Sequence, residues 1–123
     1  MEKINLIIEK GEDGKLWGRI DFRNNLMTDF AATVEMLEKK MRKLIKDFYD
    51  VDVVFDYSYD VSAFFENFDF LNQTKIADLS GINPSLLRQY ASGVKHPSAQ
   101  QAKKIEIVIH KLAKELKSVS LYA

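Results

Sequence analysis

Arg88 and Gln89 stand side by side, and both side chains can make paired hydrogen bonds to the edges of bases. A guanidinium reaches guanine O6 and N7 together, and a carboxamide does the same with adenine N6 and N7. Ser85 lies three residues before Arg88 and Ser92 three after Gln89, so on a helix the four share one side. Asn83 stands at the entrance to that side. Lys75, Lys95 and His96 flank the stretch where phosphates would lie, and a helix opening at Gln73 would turn free N–H groups outward. The chemistry on offer is recognition of a polyanion: base contacts from Asn83, Ser85, Arg88, Gln89 and Ser92, phosphate contacts around Gln73, Lys75, Lys95 and His96.

These side chains need a scaffold. Asn72 can cap a helix over 73–80, which Gly81 ends because glycine suits the left-handed position after a helix. Asn83 caps the next helix, with Pro84 at its first position, where a missing N–H costs nothing. That helix runs to Ser92 and stops at Gly93. Ala77, four before Gly81, supplies the small side chain that two closely crossing helices need. Ile76, Ile82, Leu87 and Tyr90 form the pad that fixes their angle. The spacing is that of a helix-turn-helix. A structural helical hairpin is the alternative, and the outward Arg88-Gln89 pair, which no core requires, favours DNA binding. Ser98 and Gln101 form a capping box for a long last helix, whose apolar positions include Ala102, Ile105, Ile109, Leu112 and Leu116.

The first half has a different period. Ile4, Leu6 and Ile8 alternate with polar residues, as do Leu16, Gly18, Ile20 and Phe22, and 11–14 supply turn residues between them, so the pair predicts a hairpin. Residues 26–31 add a third strand after an Asn24-Asn25 turn. Thr33 caps a helix with Val34, Leu37, Met41, Leu44, Ile45 and Phe48 at three- and four-residue steps. The basic run 39–43 on it is a solvated face, with Glu35–Lys39 and Glu38–Arg42 at pairing distance. Asp52 to Tyr59 alternates again as a fourth strand. Phe64, Phe65, Phe68 and Phe70 follow on a short aromatic helix expected to serve as core that fixes the next element. The fold class expected is α+β: a β-β-β-α-β domain over 1–60, then an all-α helix-turn-helix domain over 61–123.

The chain has 123 residues, 46% hydrophobic and 29% charged, a globular composition. Its zero net charge hides an asymmetry. Residues 1–70 carry 10 Lys and Arg against 15 Asp and Glu, and residues 71–123 carry 8 against 3, so the halves stand at −5 and +5. A basic half joined to an acidic half suggests different partners for the two. Cysteine is absent, which excludes disulfides and thiol chemistry. No apolar run approaches a membrane span, and the acidic, alternating start is unlike a signal peptide, so a cytoplasmic location with no membrane partner is expected. His96 and His110 lack neighbours at ligand spacing; no metal site and no cofactor are expected.

Residues 62–117 resemble the Cro/repressor-like helix-turn-helix family, in which a G-x-x-x-P-S segment, here Gly93 to Ser98, commonly follows the reading helix. The resemblance implies a phosphate-gripping role for Gln73 and base-facing positions at Ser85 and Gln89. Pro84 departs from versions with a polar reader at that position. Ile7 to Trp17 (I-I-E-K-x-E-D-G-x-x-W), Thr28-Asp29 and the A-x-T-V-E before the long helix resemble the HicB antitoxin family. That resemblance implies a partial ribonuclease-H-like domain joined to a DNA-binding one. It also implies an antitoxin that binds a small basic HicA-like RNase toxin and represses its own operon. FRNNLM replaces the family's P-D-L-P-G segment after the second strand.

Ribonuclease H chemistry needs carboxylates converging on divalent metal. Asp21, Asp29, Glu35 and Asp60 are the candidates, but turn, edge and cap roles account for them, so no enzyme activity and no catalytic residue are expected. The expectation is a sequence-specific DNA-binding regulator, the autorepressing antitoxin of a HicAB-type pair, acting on operator DNA as a homodimer or higher homo-oligomer. The alternative is a protein-binding antitoxin module with a minor DNA role.

Overall fold

The computed structural model describes residues 1–123, which run β1 (Glu2–Lys10), β2 (Leu16–Phe22), β3 (Asn25–Ala31), α1 (Val34–Tyr49), β4 (Val53–Tyr59), α2 (Val61–Asn67), α3 (Gln73–Ser80), α4 (Pro84–Ser92) and α5 (Ala99–Lys117). The class is α+β, one mixed four-stranded sheet and five helices. The chain divides into two compact units, Met1–Phe68 and Asp69–Ala123.

In the first unit the strand order is β3-β2-β1-β4. β1 pairs antiparallel with β2, and β2 with β3, while β1 and β4 run parallel. A parallel pair cannot be joined by a tight turn, and α1 provides the crossover. Alternation decides the faces: along β2, Leu16, Ile20 and Phe22 are buried and Trp17, Arg19 and Asp21 exposed. α1 lays Leu37, Met41 and Ile45 onto the inner face, against a core that includes Ile4, Leu6, Ile8 and Ile20. A Cβ on Gly18 would stand 3.0 Å from the Leu37 side chain, so glycine lets helix and sheet approach. Thr33 Oγ1 accepts from the Met36 N–H at 3.2 Å and opens α1.

Three details differ from the periodic reading. The β2–β3 turn is Arg23-Asn24, both at positive φ (52° and 65°), with Phe22 facing Asn25. Two left-handed residues are what a two-residue hairpin demands, because that turn matches the strand twist. Phe48 is 72% exposed, and Tyr49 packs instead, edge-on to Phe22 with ring centroids 4.9 Å apart. The sheet under the last turn of α1 lies on the Tyr49 side. Phe70 is 78% exposed, while Phe64 and Phe68 stack with each other and with Tyr59.

The switch from strand to helix at 60/61 and the division between units at 68/69 do not coincide. α2 packs on β1 and β4, and its Ala63 belongs to the first core. Asp60 fastens it there: one carboxylate oxygen accepts from the Ala63 N–H at 2.7 Å, the other from the Lys10 N–H at 3.2 Å. In the second unit α3 packs against both α4 and α5. Its buried residues are Ile76, Ala77, Ile82, Leu87, Tyr90, Ile105 and Val108. No helix is long and apolar enough to cross a membrane.

Candidate nucleic-acid interface

The turn between α3 and α4 is built from backbone bonds that the sequence makes possible. Asn72 Oδ1 accepts from the Lys75 N–H at 3.0 Å, so one first-turn donor of α3 is already taken. Gly81 adopts φ 72° and the Ile82 N–H returns to the Ala77 carbonyl at 3.0 Å. A Cβ on Gly81 would meet nothing within 4 Å, so glycine is needed for its backbone angle and not for space. Asn83 Oδ1 then accepts from the N–H groups of Ser85 (2.9 Å) and Leu86 (3.4 Å), with Pro84 opening α4. Gly93, at φ 84°, ends the helix, and the Lys95 N–H donates to the Gln89 carbonyl at 3.2 Å. That bond holds Lys95 beside the last turn of α4.

The two faces of α4 separate cleanly. Leu87 and Tyr90 are buried, as are Ile76, Ala77 and Ile82 around the turn. Ser85, Arg88 and Ser92 are exposed and Gln89 is half-buried, one contiguous side at i, i+3, i+4 and i+7. Lys75, Lys95 and His96 are exposed and Gln73 is half-buried at the start of α3. Two residues have less to offer than their types suggest. The carboxamide oxygen of Asn83 is occupied by capping, which leaves its NH2 group for a base. The Ser92 hydroxyl donates to the Gln89 carbonyl at 3.2 Å. Arg88 and Gln89 are the residues on this side with both ends of a bidentate contact open.

The ion pairs are distributed unevenly. Eight of the nine join residues of the first unit, where Lys10, Arg19, Lys39, Lys40, Arg42, Lys43 and Lys46 are paired. The α1 basic run is a case in point: Glu35 pairs Lys39 at 3.5 Å and Glu38 pairs Arg42 at 2.6 Å. In the second unit only Lys103 is paired, with Glu106 at 2.7 Å, which holds that carboxyl below its ordinary range. Lys75, Arg88 and Lys95 have no acidic partner, so their charge is available to a polyanion.

The carboxylates considered for metal chemistry have structural duties. Asp29 accepts from the Phe30 N–H at 2.8 Å and lies 3.8 Å from Lys40. Glu35 pairs with Lys39, Asp60 caps α2, and Asp21 lies on the exposed face of β2. No three His, Asp or Glu side chains gather in a group able to hold a metal ion. Elsewhere, Asp13 is held below its ordinary range by the Lys15 N–H at 2.9 Å, with Trp17 Nε1 also donating to it. Removal from water, then the neighbouring Glu38, pushes the Tyr57 phenol up; Tyr59 is raised by the same two causes.

The residue pattern understated two packing positions, Tyr49 and Val108. Val108, three after Ile105, was legible as a helical step; Tyr49 was not, because the neighbouring Phe48 is the more apolar choice. Comparison of the chain with models of protein families, with curated proteins and with solved structures gives no match.

Proposed function

We propose that the second unit is a helix-turn-helix and that the protein is a sequence-specific DNA-binding regulator, reading bases from α4. The observation that carries this is the side formed by Ser85, Arg88, Gln89 and Ser92, held out by a capped, glycine-turned helix pair and bordered by cations without acidic partners. Arg88 and Gln89 supply base contacts. Asn83, Ser85 and Ser92 supplement them, and Gln73, Lys75, Lys95 and His96 take phosphates. One such helix touches too few bases for strong discrimination, so two copies on paired half-sites are expected. Titrating the protein onto a mixed-sequence 30-base-pair duplex at several salt concentrations tests the electrostatic part. Affinity should fall linearly with log salt, and Lys95→Ala should reduce the slope by about 1. A salt-independent or undetectable interaction would count against it.

The first unit motivates the rest of the reading. Its residues carry 10 Lys and Arg against 14 Asp and Glu, a net −4, which suits a basic partner. With the HicB-like motifs, this supports a partial ribonuclease-H-like domain that neutralises a small basic RNase toxin, the whole chain acting as antitoxin and autorepressor. In the second reading, the toxin-binding role dominates and DNA contact is minor. A neighbouring gene for a very small basic protein, and its co-purification with this chain, would favour that version.

A further inference from the structure

α5 is seated in the second unit by Ile105 and Val108, both buried, with Ile109 and Leu112 half-buried beside them. Lys114 and Lys117 follow Ile105 and Val108 by nine residues each. That is about two and a half helical turns, so both lysines lie on the side opposite the buried seam. Counted back from Lys117 by three and four residues, Lys114, His110, Ile107 and Lys103 form one row along this outer side, and Lys111 stands next to it. All six are exposed. From Lys103 to Lys117 the row runs roughly 21 Å at 1.5 Å per residue, about the rise of six base pairs of duplex DNA.

The charge on this side is one-signed. Lys103 is paired with Glu106 at 2.7 Å, but Lys111, Lys114 and Lys117 form no ion pair. Glu115, the other acid of α5, lies seven residues after the buried Val108 and so on the flank toward the seam. Cations in a last turn complement the helix dipole, which accounts for Lys114 and Lys117. It does not account for Lys111, which precedes that turn.

We infer that the outer side of α5 is a second nucleic-acid surface, whose lysines hold duplex phosphates without regard to sequence while α4 reads bases. Lysine ammonium groups are compact charges on flexible stems, suited to phosphates. Protein interfaces are instead depleted in lysine and built around aromatic and arginine anchors, which this side lacks. A helix lying on a membrane needs an apolar side to bury among the lipids. In α5 that side carries the buried Ile105 and Val108, and the lysine row offers Ile107 alone. The inference rests on the DNA-binding reading for the class of its partner and adds a site outside the helix pair.

The experiment titrates the full chain onto an unselected duplex at about 50 to 200 mM salt. Three double variants accompany the wild type: Lys111→Gln with Lys114→Gln, Lys111→Arg with Lys114→Arg, and Lys39→Gln with Lys43→Gln. The glutamine pair on α5 should lower the slope of log affinity against log salt by about 1.8 and weaken binding roughly 10-fold or more, and the arginine pair should do neither. Lys39 and Lys43 are exposed and paired on the first unit, so removing the same charge there should leave the slope as it was. Helical circular dichroism should be the same in all four proteins, because the changed residues are exposed and Gln and Arg match Lys in helix propensity. An unchanged slope in the α5 glutamine pair, an equal fall in the first-unit pair, or no duplex binding by the wild type overturns the inference. So does an α5 glutamine pair that loses binding to phosphatidylserine vesicles and keeps its affinity for the duplex. A lowered slope beside Arg88→Ala and Gln89→Ala variants that bind every sequence like the wild type leaves this inference standing and removes base reading by α4. The reverse pattern removes this inference alone.

Discussion

Arg88 has no acidic neighbour to compete for its guanidinium, so truncating it breaks no ion pair and, on the proposed reading, removes a base contact. Arg88→Ala should cost about 1–3 kcal/mol of specific binding and relax one position of the site. Asn83 calls for a different expectation, because its oxygen already holds two N–H groups of α4. Asn83→Ala should destabilise the fold by about 1 kcal/mol, whereas Asn83→Ser keeps a capping oxygen and most of the stability. Thermal unfolding of the two variants, set beside their DNA affinity, separates support of the helix from reading of a base. Residue types foretold both possible roles of Asn83, since Asn before Pro is a cap signal. That the cap takes the oxygen and leaves only the amine could not be read from type or spacing, because it depends on where the side chain turns.

The elements themselves were legible wherever a period was unbroken. Strict alternation in β2 and three- and four-residue steps in α1 gave both elements and most of their buried residues. The misses fall where a neighbour, not a period, decides. Phe48 lies on the apolar side of α1 but beyond the sheet's cover, and α2 joins the first core because Asp60 ties it to β1. Glycines test the packing argument. Gly81→Ala should cost about 1–2 kcal/mol through its left-handed backbone alone, as no atom crowds the new methyl group. Gly18→Ala should destabilise the first unit by pressing on Leu37, and Leu37→Val should relieve part of that cost. Both follow from urea unfolding. Ser62 is buried with no hydrogen-bond partner for its hydroxyl, so Ser62→Ala should leave stability unchanged or raise it by up to about 1 kcal/mol.

Taken together, the chain joins an acidic unit whose cations are mostly paired to a basic unit in which Lys103 is the paired one. The asymmetry was visible in the sequence, but which cations were free was not, since ion pairing requires three-dimensional neighbours. The first unit should also carry a signature at high pH. Tyr57 and Tyr59 have folded pKa values above the ordinary 10.0. The folded state therefore holds their protons more tightly than the unfolded chain does. The resulting stabilisation is complete below the ordinary value and is lost as pH rises through the raised ones. Urea midpoints should hold up to about pH 10 and fall as pH rises above it, less steeply in Tyr57→Phe than in the wild type.

The central claim is that α4 reads bases. Selection of the full chain against a random 30-base-pair duplex pool, followed by titration of the enriched sequence with wild type, Arg88→Ala and Gln89→Ala, tests it most directly. The account predicts an enriched motif with two related half-sites about one helical turn apart. It predicts roughly 10-fold or greater loss of affinity for that motif in each variant, with binding to unselected DNA little changed. An enriched motif bound equally well by all three proteins, or no enrichment at all, would contradict it.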